Sequence, residues 1–195
     1  PRVYDIVLEH ISHNDGRLDI GVLNRFVKAY QTKSALTMGE LWAIPIVLRL
    51  ALIENLRRVS TRVMSTWQDQ NLAVKWADRM IEAVGKEGKS VVLVIAEMAA
   101  SNPPMSSAFV AELARCMQGQ TTAFVLPLTW IEDLLAPFGL SVDKLIHQDT
   151  QQQAADQVTI SNTLNSLRVI SAQNWREFVE DVSLVEQALR SDPSG

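Results

Sequence analysis

Apolar residues recur at helical spacing almost from the first residue. Val3, Val7, Leu8 and Ile11 form one stripe, which Asn14-Asp15-Gly16 stops. Val22, Leu23, Phe26, Val27 and Tyr30 form a second, with Asp19 placed to cap its start. Thr37-Met38-Gly39-Glu40 has capping-box spacing, in which the Thr oxygen and the Glu carboxylate satisfy orphan amides at a helix start. The stretch that follows, Leu41 to Ile53, is apolar on nearly every face, which predicts a helix at the centre of a bundle with others around it. Pro45 lies past the first turn, where proline is harmless, and this allows a kink. Arg49 shares a face with Trp42, Pro45, Ile46, Ile53 and Leu56, so it must reach water or meet a buried acid.

The pattern repeats at Ala73, Trp76, Ala77, Met80, Ile81 and Val84, with Gly85 and Gly88 read as the stop. Whether residues 38–84 are one helix or two stays open. Val91–Ala100 reads as a buried helix rather than a strand, by its length and its Ala-rich end. Asn102-Pro103-Pro104 ends it, and Ser106 or Ser107 caps the next helix. Pro127 reads as the first helical residue of a segment through Ala136, closed by Gly139. Ser141 opens a long polar helix that turns apolar at Ile160, Leu164 and Leu167. Asn174 with Glu177 and Ser183 with Glu186 mark two further starts. The expectation is an all-α fold, a compact multi-helix bundle of eight or nine helices around a central apolar helix. It is drawn as a single domain over 1–195.

Composition supports this and narrows the function classes. The 195 residues are 47% hydrophobic and 21% charged, which excludes disorder. Eight glycines and seven prolines are few for this length, which favours helices. A net charge of −4 argues against nucleic acid as a partner. The densest basic stretch, Arg57, Arg58 and Arg62, has Glu54 one turn before Arg58, the spacing of a solvated i,i+4 pair. With one cysteine no internal disulfide forms, and Cys116 lies within an apolar helical pattern. The Leu41–Ile53 run falls short of the roughly 20 residues that span a bilayer, so no transmembrane segment is expected. The chain opens at Pro1 and closes in Ser191-Asp192-Pro193-Ser194-Gly195, which reads as a piece of a longer polypeptide.

Candidate chemistry is thin. Residues 83–90 approach a phosphate-binding loop, but Ala83 stands where the first glycine is needed and a helix precedes it. His10 and His13 could share a metal, yet His147 lies in another helix and a third ligand is not evident. The adjacent carboxylates Glu132-Asp133 and Glu180-Asp181 point in different directions on a helix. No catalytic, cofactor-binding or metal-ligating residue is assigned, and no cofactor is expected. Glu40, Arg49, Glu54, Arg57 and Arg58 are read as a polar network, within the bundle or toward a neighbouring domain.

Several stretches carry a resemblance: Pro1–Asp5, His13–Asp19, Phe26-Val27, Ala29–Gln31, Leu36–Leu50, Ile53–Arg58, Ser183–Glu186 and Leu189-Arg190. Together they resemble the N-terminal region of bacterial cyclic β-1,2-glucan synthases, which are very large inner-membrane enzymes. The middle, about residues 65–135, is much less distinctive. The resemblance implies a place ahead of a membrane-embedded glycosyltransferase using UDP-glucose, with a phosphorylase-like domain of glycoside hydrolase family 94 far downstream. Neither a D-x-D nor a Q-x-x-R-W motif occurs in these residues, so the chain itself is not expected to be the catalytic part.

Three readings follow. The first is a non-catalytic helical scaffold that docks on catalytic domains of the same polypeptide, at the cytoplasmic face of the inner membrane. The second is a carbohydrate-binding module that holds the growing β-1,2-glucan. An independent enzyme ranks last.

Overall fold

The computed structural model describes residues 2–86, 90–118 and 125–191. Among them the regular elements are helical: α1 (Arg2–His13), α2 (Ile20–Gln31), α3 (Met38–Lys86), α4 (Ser90–Ala100), α5 (Ser107–Met117), α6 (Val125–Leu135), α7 (Val142–Ala172), α8 (Trp175–Val182) and α9 (Leu184–Ser191). A 3₁₀ turn, Ala136–Phe138, follows α6. The all-α expectation is met, with nine α-helices in the described residues.

Residues 38–84 form one helix. α3 runs for 49 residues, about 74 Å at the usual rise, and continues through Pro45. Between Pro45 and Gly85 the sequence holds neither glycine nor proline, so nothing local breaks it. The helix also passes the stop expected at Gly85; Gly88, the second expected stop, lies outside the described residues.

Local capping accounts for most of the helix starts. Asp19 Oδ1 accepts from the Val22 amide at 3.0 Å. Thr37 and Glu40 close their box in both directions: the Glu40 amide donates to Thr37 Oγ1 at 3.3 Å, and the Thr37 amide to Glu40 Oε2 at 2.9 Å. Ser106, rather than Ser107, caps α5. Ser141, Asn174 and Ser183 accept from the Lys144, Glu177 and Glu186 amides. α6 begins at Val125, which places Pro127 within the first turn. Gly139 takes φ +67°, and its amide bonds Ala136 O at 3.0 Å to end the 3₁₀ turn.

The sequence reading drew one domain over 1–195; the chain's contacts group into two compact units, 1–60 with 156–195 and 61–155. Each unit has its own apolar core. In the first, Val3, Val7 and Ile11 of α1 and Leu23 and Val27 of α2 pack with Leu41, Ile44, Leu48 and Leu52 of α3. Ile170 of α7 and Phe178, Val179 and Val182 of α8 complete it. In the second, Ala73, Ala77 and Met80 of α3 pack with Ile95 and Met98 of α4, Phe109, Leu113 and Met117 of α5, Ile131 of α6 and Leu145 of α7. The boundaries fall inside α3 and α7, where residues 60–65 and 151–155 are exposed.

The first unit also contains a polar seam that fixes the α1–α2 turn. Asp15 and Gly16 take φ +48° and +76°. Ser166 Oγ donates to Gly16 O at 2.8 Å and accepts from the Leu18 amide at 2.7 Å. Gly16 lies so close to α7 that a Cβ there would be 2.5 Å from Thr163 Oγ1. A backbone in the left-handed region, pressed against a neighbouring helix, requires glycine on both counts.

Candidate functional site

The helix read as central is buried on one face alone. Leu41, Ile44, Leu48, Ala51 and Leu52 face the core. On the other side Trp42, Ile46, Leu50 and Ile53 are 45%, 59%, 56% and 55% exposed. Their spacing, i, i+4, i+8 and i+11, sets them along a single helix face. This corrects the expectation that other helices surround Leu41–Ile53. Enough apolar residues were present for two faces, and unit 1 covers one of them.

Arg49 flanks this outward row, between Ile46 and Ile53 along the helix, and is itself exposed. No hydrogen-bond or ion-pair partner meets it among the described residues. It reaches water, which resolves the alternatives the sequence left. Of the residues read as sharing its face, Trp42, Ile46 and Ile53 are exposed beside it, Pro45 is buried and Leu56 is half-buried. A permanent cation inside an apolar run was the sequence signal that this face is open.

The other members of the expected network separate into local pairs. Glu40 accepts from Arg2 at 2.8 and 3.1 Å, and its carboxyl lies below the ordinary value because the Thr37 amide and Arg2 both bond the charged form. Glu54 accepts two bonds from Arg57, at 2.7 and 2.8 Å, rather than pairing with Arg58. Arg58 instead donates to Asn55 Oδ1 at 3.1 Å. No atom common to Glu40, Arg49 and Glu54 joins them.

The remaining chemical candidates are held apart by the fold. His10 is buried, at 5% exposure, with its ring 5.8 Å from Phe26 and its Nε2 without a hydrogen-bond partner among the described residues. Burial lowers its pKa, partly offset by the Asp19 charge. His13 is exposed and bonds Glu9 at 2.7 Å, so the two histidines serve different surroundings. Among the described residues no group of three or more His, Cys, Asp or Glu is placed to hold a metal. A cavity of about 240 Å³ beside His10 is lined by Asn14, Arg17, Asp19 and Val22, below the roughly 300 Å³ at which ligand pockets usually begin. A shallow depression of about 540 Å³ lies along α7 between Leu164 and Ala172.

In the second unit Cys116 Sγ is 3.8 Å from Glu112 Oε1. Burial and that carboxylate raise its pKa, which disfavours the thiolate. Asp149 is buried and its pKa is raised by burial, against the Arg115 charge and a 2.8 Å bond from Gln153 Nε2. The glycine-rich 83–90 segment continues α3 at its start, while residues 87–89 lie outside the described residues. Among the described residues no helix is long and apolar enough to cross a membrane.

No family model matches the chain. It is similar to the cyclic beta-(1,2)-glucan synthase NdvB of Rhizobium meliloti (strain 1021), at 30% identity over 190 residues. The match takes in 97% of this chain and 7% of that relative's length. Along nearly its whole length, the chain is homologous to a segment of a cyclic β-(1,2)-glucan synthase.

Proposed function

We propose that the chain is a non-catalytic helical scaffold of a cyclic β-1,2-glucan synthase, and that it supports UDP-glucose-dependent glucan synthesis by docking on catalytic domains of the same polypeptide. In this reading the parent is a glycosyltransferase of the inner membrane, with the chain on its cytoplasmic side. The observation that supports it is the outward face of α3 in the first unit. Four large apolar side chains are held in a row on a helix whose opposite face is firmly packed. Burying a large apolar side chain is worth about 1.5–3 kcal/mol, so covering the exposed half of four is worth roughly 3–6 kcal/mol. A contact of that size contributes usefully where the partners are already tethered.

Serine at Trp42, Ile46 and Leu50 together tests it. The expected outcome is unchanged melting of the chain with a several-fold loss of glucan synthesis from UDP-glucose by the polypeptide. Unchanged synthesis would remove the reading. The second reading is a carbohydrate-binding module, favoured by the exposed indole of Trp42, whose flat face suits stacking on a sugar ring. Titration calorimetry with β-1,2-glucan oligosaccharides separates the two, and absence of heat with every oligomer eliminates the second.

A further inference from the structure

We infer that the occupant of the outward α3 face in the first unit is an amphipathic helix of the same polypeptide that places a carboxylate opposite Arg49; this rests on the scaffold reading. Arg49 is the charge beside the Trp42, Ile46, Leu50 and Ile53 row, and it has no partner among the described residues. The nearest carboxylate on the same helix, Glu54, is already held by two bonds from Arg57. A covering surface therefore has to be apolar against the row and acidic where it meets Arg49. A cation sealed under purely apolar groups would lose its water without compensation.

Size and charge decide among the possible occupants. From Trp42 to Ile53 the face is about 17 Å long and one helix wide, roughly 200 Å². A free protein partner needs about 800 Å² on each side, so this face holds a partner that is already tethered. A second copy would bring another Arg49 and no free carboxylate from the same face, setting like charges together. An anionic lipid surface gains only about fivefold from one cation, too little for stable anchoring. A single helix fits the width, and apolar residues at i, i+4 and i+8 are what such a helix meets.

The test places a photoreactive benzoylphenylalanine at Ile46 or Leu50 in the full polypeptide and maps the crosslinked peptides by mass spectrometry. The expected result is that both positions react with one helical segment of the same polypeptide, one bearing Asp or Glu between apolar residues. Arg49→Glu should lower the yield about tenfold, and a lysine in place of that acid should restore it. Crosslinks to a segment without an acid, or a yield within about twofold after Arg49→Glu, would overturn the acidic helix and leave the scaffold reading standing. Crosslinks to a second copy or to phospholipid would overturn this inference. With no crosslink inside the polypeptide, the scaffold reading fails as well.

Discussion

Replacing Ser166 with alanine removes one hydroxyl and leaves two buried backbone groups without partners. Ser166 is 2% exposed and bridges the Leu18 amide and the Gly16 carbonyl. Leu18 is itself buried, so water does not replace the lost acceptor. An orphaned buried polar group costs about 1–3 kcal/mol, and the pair here is worth about 2–4 kcal/mol after partial relaxation of the turn. For a chain of this length that is roughly 4–16 °C in melting temperature. Urea unfolding with a local probe in the first unit measures it directly. Ser171→Ala is the control, because Ser171 is exposed and bonds only the Leu167 carbonyl of its own helix. It should change stability by less than about 0.5 kcal/mol. If Ser166→Ala proves equally silent, the seam does not hold the α1–α2 turn and the account of it is wrong.

Gly16→Ala should destabilise by more than about 2 kcal/mol, since it adds left-handed strain to a clash with Thr163. Thermal melts of Gly16→Ala against the parent chain measure it; a loss below about 1 kcal/mol would mean that the turn and the Thr163 and Asn55 side chains give way to the added methyl. His10 gives the first unit a pH dependence. Its folded pKa is lowered from 6.5, so the unfolded chain binds the proton first. Stability is then full above about 6.5 and falls as pH drops toward the folded value. Urea titrations at pH 7.5 and 5.5 should show this fall, and His10→Leu should flatten it; an unchanged slope in that variant would assign the effect elsewhere. Arg49→Met should leave the melting temperature within about 2 °C, as expected for an exposed residue without a partner among the described residues. A larger loss would mean that Arg49 has a structural role within the chain.

The helix starts were legible because capping is local: Asp19, Thr37 with Glu40, Asn174 and Ser183 each act within three residues. The continuity of α3 was left open by the sequence: the absence of glycine and proline after Pro45 allows one helix over residues 38–84 but does not require it. What escaped the sequence depends on distant neighbours. An all-round apolar helix and one with a bare face have the same periodicity, so Trp42, Ile46, Leu50 and Ile53 read as core. The two compact units carry no local mark, because α3 and α7 both run through their boundary without a breaking residue. Ser166 and Gln31 carry no local signal in the sequence. Their partners, Leu18 and Gly16 for the first and the Val182 carbonyl for the second, are about 150 residues away along the chain. Glu54 shows a subtler limit: cations stand at i+3 and i+4, and the structure pairs it with Arg57 while Arg58 bonds Asn55.

Hydroxyl-radical footprinting of Trp42 tests the central claim most directly, comparing the isolated chain with the chain inside the full synthase-type polypeptide. In the isolated chain Trp42 should oxidise at the rate of a half-exposed indole. Inside the polypeptide the account predicts protection by at least about fivefold, with exposed Lys33 peptides unchanged. Equal oxidation of Trp42 in both would show that nothing covers the α3 face, and would contradict the proposal that this chain works by docking.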